Sequence, residues 1–427
     1  ITVSDTSADA ADLNAINALT AAVAADVDLT AVTEITGSAD AIKTAMAANG
    51  VSLTLNGTYD IVASGDTSVS DINLIVGLTG GAGATTGTIT ASAASTDATV
   101  LAGLTTTDAR GDVIAITVTG SATGAELNTI SGATTSEVAA TGVTEVTGAA
   151  GAIALAVADA DIAMSGSYSV TVDGPGASVS ELNTIFLNTT GLVTSTVTTQ
   201  AFVGAGNLTT LAINADGAVP ALTVTVADVT ANAADLTALQ AKTSVNVDAI
   251  LTVNGIAGSV SEIDALIASV VDLNGNYDLS ISDGTLDILD AIRLNGENGT
   301  GSVAIAAATT ITGTASELAA AITSGTISVP AGANFVVEAE AEGAVTSVGD
   351  LDIIAVFATA ANAVDTSAIS IVEGPAATLD NLQGYASIAS GSTYAVTVNN
   401  GADSNASVSA ILDMRAETSG VITATVT

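Results

Sequence analysis

One small unit recurs along this chain, and nothing else constrains its fold as much. Residues 29–65 read LTAVTEITG, SADAIKTAMAANG and VSLTLNGTYDIVASG: a strand-like run, a short helix-like run, then further strand-like runs. The helix-like runs share a signature of a Ser, Thr or Gly opening, an acid, and apolar residues at helical spacing. Asp12-Leu13, Asp71-Ile72, Glu126-Leu127, Glu181-Leu182, Asp235-Leu236 and Asp350-Leu351 form one set, with Asp287-Ile288 and Ala410-Ile411 as weaker members. The first five acids stand 59, 55, 55 and 54 residues apart. A second set falls midway, at Ser38-Ala39-Asp40, Ala149, Asn207-Leu208, Ser259 to Ile263, Thr314 to Leu318 and Thr378-Leu379-Asp380.

The expected unit is therefore about 28 residues long, inside a double repeat of roughly 57. A two-turn helix with one apolar stripe must bury that stripe, and a neighbouring strand offers one alternating face. The fold expected from this is an α/β repeat solenoid, a β-solenoid with short helices. Residues 1–427 form a single elongated array, with double repeats starting near 7, 66, 121, 176, 230, 283, 345 and 404. Either a β-helix carrying short helices or a leucine-rich-repeat-like α/β coil satisfies the spacing.

Composition agrees with stacked layers: 48% of residues are hydrophobic but only 2% are aromatic, so the core is small and aliphatic. Charge is lopsided, with 44 acids against five bases and a net −39. The bases, Lys43, Arg110, Lys242, Arg293 and Arg415, lie far apart and form no basic stripe. Nucleic acid is thereby excluded as a partner, and an anionic membrane surface is disfavoured. No apolar run of about 18 residues is present, so no membrane insertion is expected. Cysteine and histidine are both absent, which removes disulfides, thiolate metal sites and the commonest general base. The chain begins without Met and without a basic leader, and reads as a processed form or an internal segment.

Few motifs carry chemistry. Ser68–Asp71, Ser259–Glu262 and Thr314–Glu317 fit capping boxes at helix starts. Asp272, Asn274, Asn276 and Asp278 place oxygen ligands at alternate positions, with Asp283 where a late calcium ligand falls, but Tyr277 stands where such loops need Gly. The pairs Asp26/Asp28, Asp159/Asp161 and Asp403/Asn405 are looser calcium candidates, read here as solvated acidic faces. Asn56, Asn188, Asn207, Asn298 and Asn405 open Asn-x-Ser/Thr sequons, which a Thr-rich chain produces by chance. Gly80-Gly81-Ala82-Gly83 is a turn without a phosphate-loop lysine. Thr88-Ile89-Thr90 and Thr117-Val118-Thr119 resemble ice-binding ladders, but strand propensity explains them.

The phrase A-D-L-N-A-I at Ala11 to Ile16, a Thr-rich strand, and T-G-S-A at Thr36 to Ala39 recur over nearly the whole chain. This phrasing resembles the repeats of the giant cell-surface, motility-associated and adhesin-like proteins of marine cyanobacteria. Similar phrases occur in bacterial surface-layer proteins. The match weakens at Asp283 to Asn295 and at Ala410, where the acid is lost. The resemblance implies a secreted, surface-attached, structural role, and brings no catalytic motif.

The expectation is an extracellular structural protein, part of a filament, layer or adhesin, built by end-to-end or lateral self-association. Ile1-Thr2-Val3 and the run from Gly420 to Thr427 both read as strands, which favours head-to-tail strand pairing between copies. No catalytic, cofactor or metal residue is expected, and cell-surface polysaccharide is the other candidate partner. The alternatives are a calcium-dependent adhesion module, a polysaccharide-active solenoid enzyme with a carboxylate pair, and an ice-binding protein.

Overall fold

Short polar openings start the helices. The computed structural model describes residues 1–424 apart from 22, 24, 49–50, 56–57, 80–86, 201–206, 213–218, 251, 331, 342–344, 359–362, 383–393, 400–414 and 416–417. Ser259 accepts the amide of Glu262 while Glu262 reaches back to the Ser259 amide. The same reciprocal box opens the helices after Thr123, Ser178 and Thr314. Ser68 and Asp71 likewise pair, with the Asp71 amide 3.1 Å from Ser68 Oγ. Each start seats an aliphatic pair on the inner face: Leu127 and Ile130, Leu182 and Ile185, Ile263 and Leu266 are all buried.

The chain divides into two compact units, Ile1–Val224 with Lys242–Val245, and Thr225–Ala241 with Asn246–Thr427. The first holds helices α1 (Ala10–Ala21), α2 (Ala39–Ala47), α3 (Val69–Thr79), α4 (Ala98–Leu101), α5 (Gly124–Ser131), α6 (Ala150–Ala158) and α7 (Val179–Asn188). The second holds α8 (Ala233–Gln240), α9 (Val260–Ile267), α10 (Ile288–Glu297), α11 (Ala315–Thr323), α12 (Val348–Phe357) and α13 (Ala376–Asn381).

Strands between the helices pair in parallel. In the first unit, Ser7–Asp9, Glu34–Ser38, Asp60–Thr67, Ile89–Ala93 and Val113–Ala115 form one five-stranded sheet. A second, six-stranded sheet centres on the long strand Val138–Gly148, and a third joins Val27–Leu29 to Leu53–Leu55. The second unit has sheets of five, four and four strands. Registers bring like residues into rows. Ile35, Ile61 and Ile89 face inward side by side, as do Val146, Val170 and Val193, and Ile256, Leu279, Val303 and Ile327. Nearly all are less than 2% exposed, and each such side chain contributes roughly 1.5–3 kcal/mol of burial.

The β-solenoid expectation is corrected. The strands do not wind into one closed or coiled sheet; they form six separate open parallel sheets, accompanied by thirteen α-helices among the described residues. This is nearer to a Rossmann-like α/β arrangement. The physical reason lies in the connection. Parallel neighbours need a crossover of a dozen or more residues, usually a helix, so a β-α-β unit returns to its sheet after the same interval that a coil would. Ser7 pairs with Glu34, and Glu34 with Asp60, at that interval.

Backbones approach closely where one strand start crosses the next. A Cβ placed on Gly191 would lie 2.0 Å from the carbonyl oxygen of Tyr168; on Gly301 it would lie 2.0 Å from that of Tyr277. Only glycine fits, because the opposing atom is backbone and cannot swing aside. Gly191→Ala is therefore expected to destabilise the protein by at least about 1–3 kcal/mol in urea unfolding, the range for overpacking. A variant as stable as the parent would show that the contact relaxes freely.

Candidate functional site

Many polar side chains bond to a neighbouring segment of the chain, while others cap their own helix or turn. The candidate calcium stretch is the clearest case. Asp278 Oδ1 accepts the Ser302 amide at 2.7 Å and its hydroxyl at 2.8 Å. Asn276 Oδ1 accepts the Thr300 amide at 3.0 Å and hydroxyl at 2.9 Å. Asn274 accepts the Asn276 amide, Asp272 takes a long contact from Asn246, and Asp283 Oδ2 holds the Val260 amide at 2.8 Å. Asn276, Asp278 and Asp283 are thus engaged by neighbouring segments, and Asn274 by its own loop. Among the described residues, no group of three or more Asp or Glu side chains is placed to hold a metal ion. Chelation with EDTA is expected to leave the melting midpoint unchanged; a fall of several degrees would assign calcium a structural role.

The looser acidic pairs have similar partners. Asp159 Oδ2 accepts Ser131 Oγ at 2.6 Å and Oδ1 accepts the Asp161 amide at 2.9 Å, within an open polar groove shared with Asn128, Thr134 and Thr135. Asp28 Oδ1 accepts the Thr30 amide at 3.0 Å. Asp403, Asn405, Asn56, the Gly80–Gly83 turn and Ala410-Ile411 lie outside the described residues. Of the remaining sequons, Asn298 is fully buried and donates to the Tyr277 carbonyl at 3.0 Å. Asn188 donates to Thr184, and Asn207 caps a short 3-10 turn at Leu208–Thr210. Thr88 bonds to Asp60, and Thr119 to Thr96. One threonine row is in register, Thr123, Thr147, Thr171 and Thr194, although the Thr123 hydroxyl is engaged in its helix cap.

Three recurrent fasteners were not foreseen. The first is an asparagine on each of α1, α3, α5 and α7. Asn14, Asn73, Asn128 and Asn183 donate to the carbonyls of Ala41, Gly103, Ala152 and Thr210 at 2.6–2.9 Å. Each clasps its helix to the following segment. Asn73 and Asn183 also accept the amides of Thr105 and Ala212. The second is a buried hydroxyl. Thr134 Oγ1 donates to the Ile114 carbonyl and accepts the Ile114 amide, both at 2.9 Å, and also accepts the Ser136 amide. Thr243 repeats this bracket on Leu222, while Thr189 and Thr418 reach the carbonyls of Tyr168 and Tyr394. The signal was present: Thr134, Thr189, Thr243 and Asn298 stand 55, 54 and 55 positions apart.

The third involves the bases, all five of which bind their own chain. Arg110 grips the buried Asp112 through Nε and Nη2. Lys43 bridges Asp40 and Asp71, and Arg293 bridges Asp264, Asp290 and Glu297. Lys242 donates to the Leu211 carbonyl at 2.6 Å, and burial lowers its pKa. Arg415 donates to the Gly420 carbonyl.

Hydrogen bonds to these carboxylates hold several of them in the charged form. Asp71 titrates below the usual range because of Lys43 and then Ser68; Glu262 because of the Ser259 amide; Asp278 because of the Ser302 amide; Asp365 because of the Ser367 hydroxyl. A depressed folded pKa contributes stability above the unfolded value, and that stability is lost as pH falls through the folded value. The melting midpoint is thus expected to fall as pH drops below about 4, through the folded values of these four groups. A midpoint that climbs without a turn to pH 2 would contradict this.

No helix among the described residues is long and apolar enough to cross a membrane. No family model, no curated protein sequence and no solved structure matches this chain.

Proposed function

We propose that this chain is a structural protein that self-associates at or outside the cell surface, as part of a filament, layer or adhesin. The observation that carries this reading is the destination of its polar side chains. Asp60, Asn73, Asp112, Thr134, Asn183 and Asp278 all tie one strand or helix to the next. Chemistry committed to internal joints serves shape before it serves a ligand. Strand edges support the assembly half. Among the described residues, Ser7–Asp9 pairs only with Glu34–Ser38, and Ile422–Thr423 only with Ala395–Val398. Each leaves backbone groups that another strand can join. The resemblance of the repeats to giant surface proteins supports the location.

Electron microscopy of the purified chain, alongside sedimentation velocity over a concentration series, tests the proposal. Ordered fibres or sheets and a sedimentation coefficient that grows with concentration are expected. A monodisperse monomer at the highest concentration reached would overturn it.

A further inference from the structure

We propose that this self-association, whose existence rests on the reading above, is gated by ionic strength. The argument begins with charge. The chain carries a net −39, and each of its five bases is engaged by a carboxylate or carbonyl of its own chain. The field around the molecule is therefore of one sign, and two approaching copies repel. Copies cannot relieve this by pairing acid with base, because each base already has a partner within the chain.

Like charges also meet within the fold. Glu34 stands opposite Asp60 on neighbouring strands, and Asp248 stands opposite Asp272. Neighbouring parallel strands lie about 4.8 Å apart, and like charges directly opposite are unfavourable. The screening length is about 30 Å at 0.01 M salt, about 8 Å at 0.15 M and about 3 Å at 1 M. Repulsion between copies, acting over tens of ångströms, is thus removed well before repulsion across one strand spacing. Assembly responds first, at moderate salt; the fold's own stability goes on rising toward 1 M.

Sedimentation velocity and thermal melting of the full chain in 0.01, 0.15 and 1 M NaCl test this. Monomer at 0.01 M, with the assembled fraction rising about tenfold or more by 0.15–1 M, is the expected result, together with a midpoint that is still rising between 0.15 and 1 M. Sodium nitrate at equal ionic strength is expected to act like the chloride. A strong dependence on the anion would mean salting-out, and would overturn the gate. So would 1 mM CaCl2 at fixed ionic strength reproducing the effect of 1 M NaCl, which would assign a bound divalent ion instead. Equal assembly at all three salt levels overturns the gate and leaves the structural reading standing; no assembly at any level overturns both. The double variant Glu34→Gln/Asp272→Asn keeps the hydrogen-bonding atoms and removes two charges. Its midpoint is expected to rise less between 0.01 and 1 M than the parent's, and an identical rise would count against self-repulsion.

Discussion

Asp112→Ala is expected to cost about 3–5 kcal/mol of stability, the range for leaving a buried charge without its partner. The Asp112 side chain is fully buried and that of Arg110 is 14% exposed. Beyond the guanidinium, Asp112 Oδ1 accepts the Ile89 amide at 3.0 Å and Oδ2 the Thr107 amide at 2.9 Å. One carboxylate thus completes a strand edge, a turn and an ion pair. Truncation orphans all three at once, and the Ile89 amide bond to Asp112 is a buried one. Urea unfolding measures the loss, and a change under about 1 kcal/mol would contradict the geometry. Arg110→Met combined with Asp112→Leu should recover much of the deficit, since apolar replacement of both members of a buried pair is often neutral. Arg293→Ala is the control. That side chain and its partners are 38–43% exposed, so its loss should cost less than about 1 kcal/mol.

Thr134→Val should be nearly as damaging, although the two side chains have almost the same shape. Thr134 is only 4% exposed, and its hydroxyl satisfies both backbone groups of Ile114. Valine leaves them unpaired, at roughly 1–3 kcal/mol for each buried group. Thr243→Val should do the same at Leu222. Thr134→Ser keeps the hydroxyl and loses one methyl, so it should retain most of the stability. Valine and serine variants of equal stability would show that packing, not the bracket, holds this position.

The helices were legible because their starts are written in short-range chemistry. Ser259-x-x-Glu262 and Thr314-x-x-Glu317 announce a cap whatever surrounds them. The alternating runs that follow Tyr168, Tyr277 and Tyr394 carry the strand pattern in sequence and lie in strands Ser169–Val172, Asp278–Ile281 and Ala395–Val398. The run VIAITVTG from Val113 alternates like a single strand but lies in two, Val113–Ala115 and Thr117–Thr123, in different sheets. The chain turns at buried Ile116 without a Gly or Pro to mark it. Sheet closure was not legible at all, because a β-α-β crossover and a coil recur at the same interval. Asp112 was hidden in a turn-like DARGDV, and its role depends on Ile89, 23 residues away. Thr134 resembles any strand-favouring threonine until its partner on the preceding strand is known.

Hydrogen exchange on the intact chain tests most directly whether these side chains act as fasteners. The amides of Ile89, Ile114 and Leu222 are held by Asp112, Thr134 and Thr243. They should exchange as slowly as ladder amides in the sheet interior, such as Ile61, which bonds to the Thr88 carbonyl. Exchange at the rate of exposed loop amides would mean that the brackets open freely, and that the polar side chains do not hold the segments together.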